Sequence, residues 1–280
     1  MNNAISPVES TNTLFHFTTR QNLIGILENN FQPRWDFEDL TCMIPSDATF
    51  SAPEGYIYSF PKVCFCDIPL SRVTKHMEIY QKFGIGLTKE WAKRKGLNPV
   101  LYVSNDSVVA DGIFKTNVAL ARESLKIDDQ GHETREQWED AMRQHSLDWE
   151  GATSINFFVK PYEGDFSHNE KTYSNKRFYD EREWRYVPAC DETGKVFIVF
   201  RSYWDQIDED ERSKIIDQYV PFLEFEPDDI RYIIVEKDDD VLSMAHEVLK
   251  IKSENKNYTP DQLLLLTTRI ISAERIREDF

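Results

Sequence analysis

A mixed α+β fold is predicted by three observations. Strand-like and helix-like stretches are interspersed without the steady alternation of a parallel α/β protein. Gly84-Ile85-Gly86 is a lone Gly-x-Gly, so no dinucleotide fingerprint opens a doubly wound sheet. No repeat, low-complexity tract or linker divides the chain, and 40% hydrophobic and 13% aromatic content suffices for a real core. The expectation is a single domain over residues 13–280, after a flexible segment 1–12.

Taken in order, Leu14-Phe15-His16-Phe17-Thr18 reads as a short strand. Thr18 or Thr19 then caps a helix with Leu23, Ile24 and Leu27 on one face. That places His16 and Thr18 near a helix N-terminus, which suits an anion or polar ligand. Residues 30–60 read as irregular, with prolines spread among Trp35, Phe37, Phe50, Tyr56, Tyr58 and Phe60. Such an aromatic loop is either a lid or a segment pinned to the core. Val63-Cys64-Phe65-Cys66 is a buried strand, and Ser71 caps a helix carrying His76 and Tyr80. Phe83–Leu87 is a strand whose glycines permit close backbone approach. Thr88 caps a helix to Arg94, which Gly96 closes, and Val100–Val103 is a strand. Helices are expected over 106–126 and 133–147, the second with Trp138, Met142 and His145 at helical spacing. Then come a strand at 155–161, a polar loop to 176, a strand at 195–200 and an acidic helix at 203–218. A strand at 230–235, a helix at 241–251 and a strand at 263–267 complete the series.

The net charge is −16, from 49 acidic and 33 basic residues, which argues against passive nucleic-acid binding while leaving room for a local basic patch. Cys42, Cys64, Cys66 and Cys190 include no CxxC pair, so reduced thiols are expected. A Cys-x-Cys metal site with His76 lacks a second ligand pair at zinc-like spacing. The N-terminus has no charged region followed by an apolar one, and no run has the length of a membrane span. A soluble, cytoplasmic protein is expected.

The chemistry concentrates in Tyr179-Asp180-Glu181-Arg182-Glu183-Trp184-Arg185-Tyr186. Read as a strand, it puts Glu181, Glu183 and Arg185 on one face and Arg182, Trp184 and Tyr186 on the other. Two carboxylates beside core aromatics are costly unless paired or used. One reading is a Glu-x-Glu catalytic pair, with one carboxylate stabilising positive charge and the other orienting an acceptor. The other is a salt-bridge ladder among Glu181, Arg182, Glu183 and Arg185. A metal-dependent nuclease using Asp180, Glu181 and Glu183 lacks a further acidic pair. His16 is either a core histidine or a ligand-binding one. Arg72, His76 and Tyr80, four residues apart in turn, share one helical stripe. No GxSxG, HExxH or Walker A motif is present.

Several blocks in order resemble the AbiGi family of abortive-infection proteins. They are Phe15-His16-Phe17-Thr18, Val63-Cys64-Phe65-Cys66-Asp67-Ile68-Pro69-Leu70-Ser71, Phe83–Trp91, Asn98–Tyr102 and Glu181–Tyr186. That resemblance implies phage resistance and an antitoxin or sensor role, with a cognate protein partner. The order of a His strand, a helix, an aromatic segment and a late Glu strand also resembles the ADP-ribosyltransferase superfamily, including DarT-like toxins. This second resemblance implies split central sheets with flanking helices, and transfer of ADP-ribose from NAD to a nucleic acid or protein. It implies that His16 binds the NAD ribose and amide, assisted by Thr18, with Phe65 or Tyr80 stacking on nicotinamide. It further implies that Glu183 grips the ribose, that Glu181 is the second glutamate, and that Arg72 is the candidate for the NAD-loop arginine.

Overall fold

The computed structural model describes residues 11–47, 56–129, 154–168, 171–189, 196–217, 220–253 and 258–279. The helix expected over 133–147, residues 1–10 and Cys190 lie outside them.

The first third of the chain builds the centre of a sheet. Strand β1 (Thr13–Thr18) leads into α1 (Arg20–Asn29), whose Thr19 cap accepts the Asn22 backbone N–H. Strands β2 (Arg34–Asp39) and β3 (Ile57–Cys66) then pair antiparallel, from Arg34↔Lys62 to Asp39↔Ile57. The expected irregular segment is therefore largely strand. Its prolines read as breakers, but Trp35 and Phe37 alternate with acids at the strand period, and Pro61 sits opposite Trp35 in the pairing. After a 3-10 turn at Leu70–Arg72 comes α2 (Thr74–Tyr80), whose N-cap is Val73 rather than Ser71. Strand β4 (Phe83–Thr88) follows, then α3 (Lys89–Arg94), capped by Thr88 onto the Trp91 N–H.

The middle of the chain is built of short pieces. These are β5 (Asn98–Pro99), β6 (Leu101–Val103), α4 (Val108–Asp129) and β7 (Val159–Pro161), which pairs parallel with β6. Residues 154–158 form a 3-10 turn rather than the start of a strand. Strands β8 (Glu163–His168) and β9 (Lys171–Arg177) form a hairpin where a loop was expected. A 3-10 turn, Phe178–Glu181, precedes β10 (Glu183–Tyr186). Strand β11 is only Val199–Phe200, and the expected acidic helix is two, α5 (Arg201–Trp204) and α6 (Glu209–Ile216). Asp208 breaks it by turning its side chain onto the Glu211 N–H.

The last third holds β12 (Ile230–Val235), α7 (Asp239–Ser253), α8 (Pro260–Thr267), β13 (Ile270–Ser272) and α9 (Ala273–Asp279). The strand expected at 263–267 is thus a helix. Thr259 and Gln262 form a capping box with Pro260 in the first turn, and that signal outweighs the leucine run.

Among the described residues, one mixed nine-stranded sheet runs β13-β12-β4-β1-β3-β10-β5, with β2 and β11 paired to the far end of β3. Its two faces are packed alternately, as the strand period requires. Leu14, Ile85 and Ile233 face a core shared with Leu23 of α1 and Met244 of α7, while Phe15, Cys66 and Ile234 face Met77 of α2 and Ile276 of α9. A third core joins Leu40, Tyr58, Phe60, Val103 and Val159. The architecture is α+β, as expected. No described helix is long and apolar enough to cross a membrane.

Candidate functional site

The centre of the sheet aligns the two residues that the sequence singles out. Strand β3 lies between β1 and β10, and Phe15 and Glu183 both stand in register with Cys66. Glu183 therefore projects from the face that packs on α2. His16, one residue along from Phe15, turns its ring to the other face against Phe31 and Phe65. Strands β1 and β3 pair at one register position, whereas β1 and β4 pair at six, from Thr13↔Thr88 to Thr18↔Phe83. Beyond that point His16 Nδ1 takes over the bonding, 2.8 Å from the Cys64 carbonyl oxygen. A carbonyl only accepts, so Nδ1 carries the proton. Burial pushes the His16 pKa down and keeps the ring neutral.

Glu181 does not share the strand with Glu183. Arg182 adopts a left-handed conformation (φ 45°) between them and ends the 3-10 turn. Both carboxylates nevertheless converge on Lys160 of β7, whose Nζ lies 2.7 Å from Glu181 Oε2 and 2.6 Å from Glu183 Oε2. Glu183 Oε1 accepts from Arg185 Nε at 2.5 Å. Glu181 Oε1 accepts from the Tyr80 hydroxyl at 2.5 Å and pairs with Lys176 of β9. Arg185 is fully buried and also donates to Glu38 Oε1 (2.7 Å) and the Phe157 carbonyl (2.8 Å). Lys62 closes the chain on Glu38 at 2.8 Å. Three carboxylates thus meet four cations in a buried network tying β2, β3, β7, β9 and β10 together. Burial opposes ionisation of Glu183, but Arg185 and Lys160 outweigh it and hold its carboxyl far below the usual range. Glu181 is lowered in the same way by Lys160 and Lys176. Burial works against Lys160 too, yet Glu183 and Glu181 raise its pKa well above the ordinary value.

A cleft of about 600 Å³ opens over this network, bordered by His16, His76, Tyr80, Lys160, Glu181 and Glu183. A second, of about 770 Å³, lies beside α1 and shares His16, Asp36, Lys62 and Cys64 with the first. Thr18 lines the second, where its hydroxyl accepts from Asn22. Phe65 is buried among Phe31, Trp91 and His16, and only its edge of the core reaches the first cleft. The expected stripe divides: the His76 and Tyr80 rings lie tilted with their centres 4.5 Å apart, while Arg72 is exposed in the preceding 3-10 turn and borders neither cleft. Trp184 is half-buried against the core, with Lys89 Nζ 5.8 Å from its ring centre. Burial pushes the thiols of Cys64 and Cys66 up, so both stay protonated. Among the described residues, no group of three or more His, Cys, Asp or Glu side chains is placed to hold a metal ion.

Sequence reasoning named both glutamates but not the lysines that hold them. Lys160 carries a weak signal, a lone cation after the apolar run Phe157-Phe158-Val159. Lys176 carries none: it stands in a polar run, and although Glu181 is five residues on, its other partner Tyr80 lies 96 residues away.

The sequence profile of the AbiGi family, described as abortive phage resistance protein AbiGi, antitoxin, matches residues 56–236, which span β3 through β12 and the whole glutamate network except Glu38. The chain belongs to the AbiGi family. An abortive phage resistance protein AbiGi from Lactococcus lactis subsp. cremoris is 26% identical over 267 residues, covering 89% of this chain and 99% of that relative. No solved structure matches the chain.

Proposed function

We propose that the chain is a partner-binding module of a bacterial abortive-infection system, an antitoxin or sensor without turnover of its own. It acts as one domain over residues 13–280. The observation that carries this reading is the state of the glutamate pair. All four oxygens of Glu181 and Glu183 are engaged by Lys160, Lys176, Arg185 or Tyr80. A carboxylate that stabilises developing positive charge must face it uncompensated. Here a lysine ammonium already stands 2.6 Å from Glu183 and a guanidinium 2.5 Å from it. The AbiGi family's description as antitoxin supports the same reading, with a cognate toxin as partner.

A second reading keeps one specific observation in its favour. The strands of His16 and Glu183 flank the same strand, and both residues border one cleft although their side chains leave opposite faces of the sheet. On that reading the chain transfers ADP-ribose from NAD to a macromolecule. Glu183 and Glu181 act at the ribose, His16, Thr18, Phe65 or Tyr80 hold the cofactor, and Arg72 assists. The neutral His16 ring fits a ribose hydroxyl, but the carboxylates as held do not fit the charge role.

Expression of the wild type and of Glu183→Gln separates the readings. The binding module leaves cellular NAD unchanged in both, before and after phage challenge, and co-purifies with the product of a neighbouring gene. A fall in NAD that Glu183→Gln abolishes, with its melting transition intact, transfers the conclusion to the second reading.

A further inference from the structure

Tyr80, Phe166, Phe178 and Glu181 all border the cleft, and together they surround the ammonium of Lys176. Lys176 rides on the β8–β9 hairpin, whose strands pair with each other and not with the main sheet. Its Nζ pairs with Glu181 and donates to the Tyr80 hydroxyl at 2.9 Å. It also lies 4.0 Å from the ring centre of Phe166, 4.7 Å from that of Tyr80 and 5.4 Å from that of Phe178. Three aromatic rings and a carboxylate around one ammonium is how proteins recognise such groups.

Two further observations point to a ligand from outside. His76, half-buried, borders the same cleft beside Tyr80, and among the described residues it makes no hydrogen bond. Burial holds its pKa down at about 4, so the ring is neutral and one nitrogen is an open acceptor for an N–H. The cleft wall also carries Asp36, Asp39, Glu163 and Asp165, all exposed. A wall of that sign draws in a basic segment.

We propose that this seat receives a lysine side chain of a protein partner in exchange for Lys176, with the acidic wall guiding the segment that carries it. The inference rests on the partner-binding reading and names its chemistry. Lys176 is then a resident competitor, because a tethered group acts at an effective concentration on the order of millimolar.

The test uses the full chain and a labelled octapeptide of alternating lysine and serine, read by fluorescence anisotropy. Lys176→Ala is expected to bind at least about tenfold tighter than wild type, since the competitor is gone. Lys176→Met, whose unbranched side chain refills the seat, shows no gain. Adding Glu181→Gln to Lys176→Ala removes the gain, and acetylating the peptide lysines abolishes binding. A peptide-free readout guards against misfolding: butylammonium chloride raises the melting temperature of Lys176→Ala above that in sodium chloride, and does not do so for wild type. Equal peptide affinity for wild type and a cooperatively melting Lys176→Ala overturns the proposal. So does a gain of equal size with an arginine–serine peptide that persists with Glu181→Gln, which reports surface charge alone. If the seat fails while the neighbouring gene's product still co-purifies, the partner-binding reading stands without it. If the seat behaves as stated and no partner is captured, the lysine site stands and the partner-binding reading falls.

Discussion

Lys160 is the residue on which the glutamate pair depends. Its ammonium satisfies Glu181 and Glu183 at once, and it is itself largely buried. Removing one partner from a buried ion network leaves charges in a poor solvent, which typically costs about 3–5 kcal/mol. Lys160→Met is therefore expected to lower the unfolding free energy measured by urea denaturation by that order, and adding Glu181→Gln is expected to recover part of it by removing an orphaned charge. Additive losses in this double-mutant cycle mean that the network is not coupled. A ladder among Glu181, Arg182, Glu183 and Arg185 is one reading of the sequence, and its Glu183–Arg185 pair stands at 2.5 Å. The other cations come from β7 and β9. Spacing reports neighbours along one strand, and it is silent about an ammonium delivered from another element.

Among the elements, β4 sets how closely the sheet centre packs. A Cβ at Gly84 meets the His16 carbonyl oxygen and the Phe17 ring, both at 2.9 Å, and one at Gly86 meets Phe15 at 2.8 Å. The carbonyl belongs to the β1–β4 ladder and has nowhere to move. Gly84→Ala is expected to destabilise by about 1–3 kcal/mol, the usual cost of overpacking, and to disturb His16. A melting temperature equal to wild type removes this account of the glycines. Close approach at these positions was legible from two glycines inside an apolar strand. Other elements were misread for definable reasons. The segment 263–267 looks like a strand because Leu263 to Leu266 is continuous, yet its start is fixed three residues earlier by Thr259 and Gln262. The β8–β9 hairpin was missed because its side chains are mostly exposed, so its sequence carries no apolar alternation.

Across the whole molecule, the buried histidines and carboxylates make stability fall as pH drops below neutral. The folded-state pKa of His76 is about 4, below its ordinary 6.5, because burial disfavours the charged ring. Unfolded chains therefore take up a proton at His76 as pH falls below 6.5, while folded ones do not until about 4. Its contribution is full above that window and lost on descending through it, by on the order of 3 kcal/mol. His16 acts in the same sense. Glu38, Glu181 and Glu183 are lowered too, so their contribution is present above the carboxylate range and is lost at lower pH still. Chemical denaturation between pH 7 and 4 is expected to show falling stability, with a shallower slope for His76→Gln. An unchanged slope places the titration elsewhere.

The sequence by itself determined the α+β class, most strands of the central sheet and the AbiGi membership, and it singled out His16 and Glu183 as candidates. These rest on local patterns: alternation along a strand, caps at helix starts, and ordered motif blocks. Only the tertiary structure decided what the two glutamates do. Glu181 and Glu183 are two residues apart, but their charge is set by Lys160, Lys176 and Arg185, brought in by three different strands. Electrostatic energy depends on distance through space and on burial, and neither is written in the order of residues.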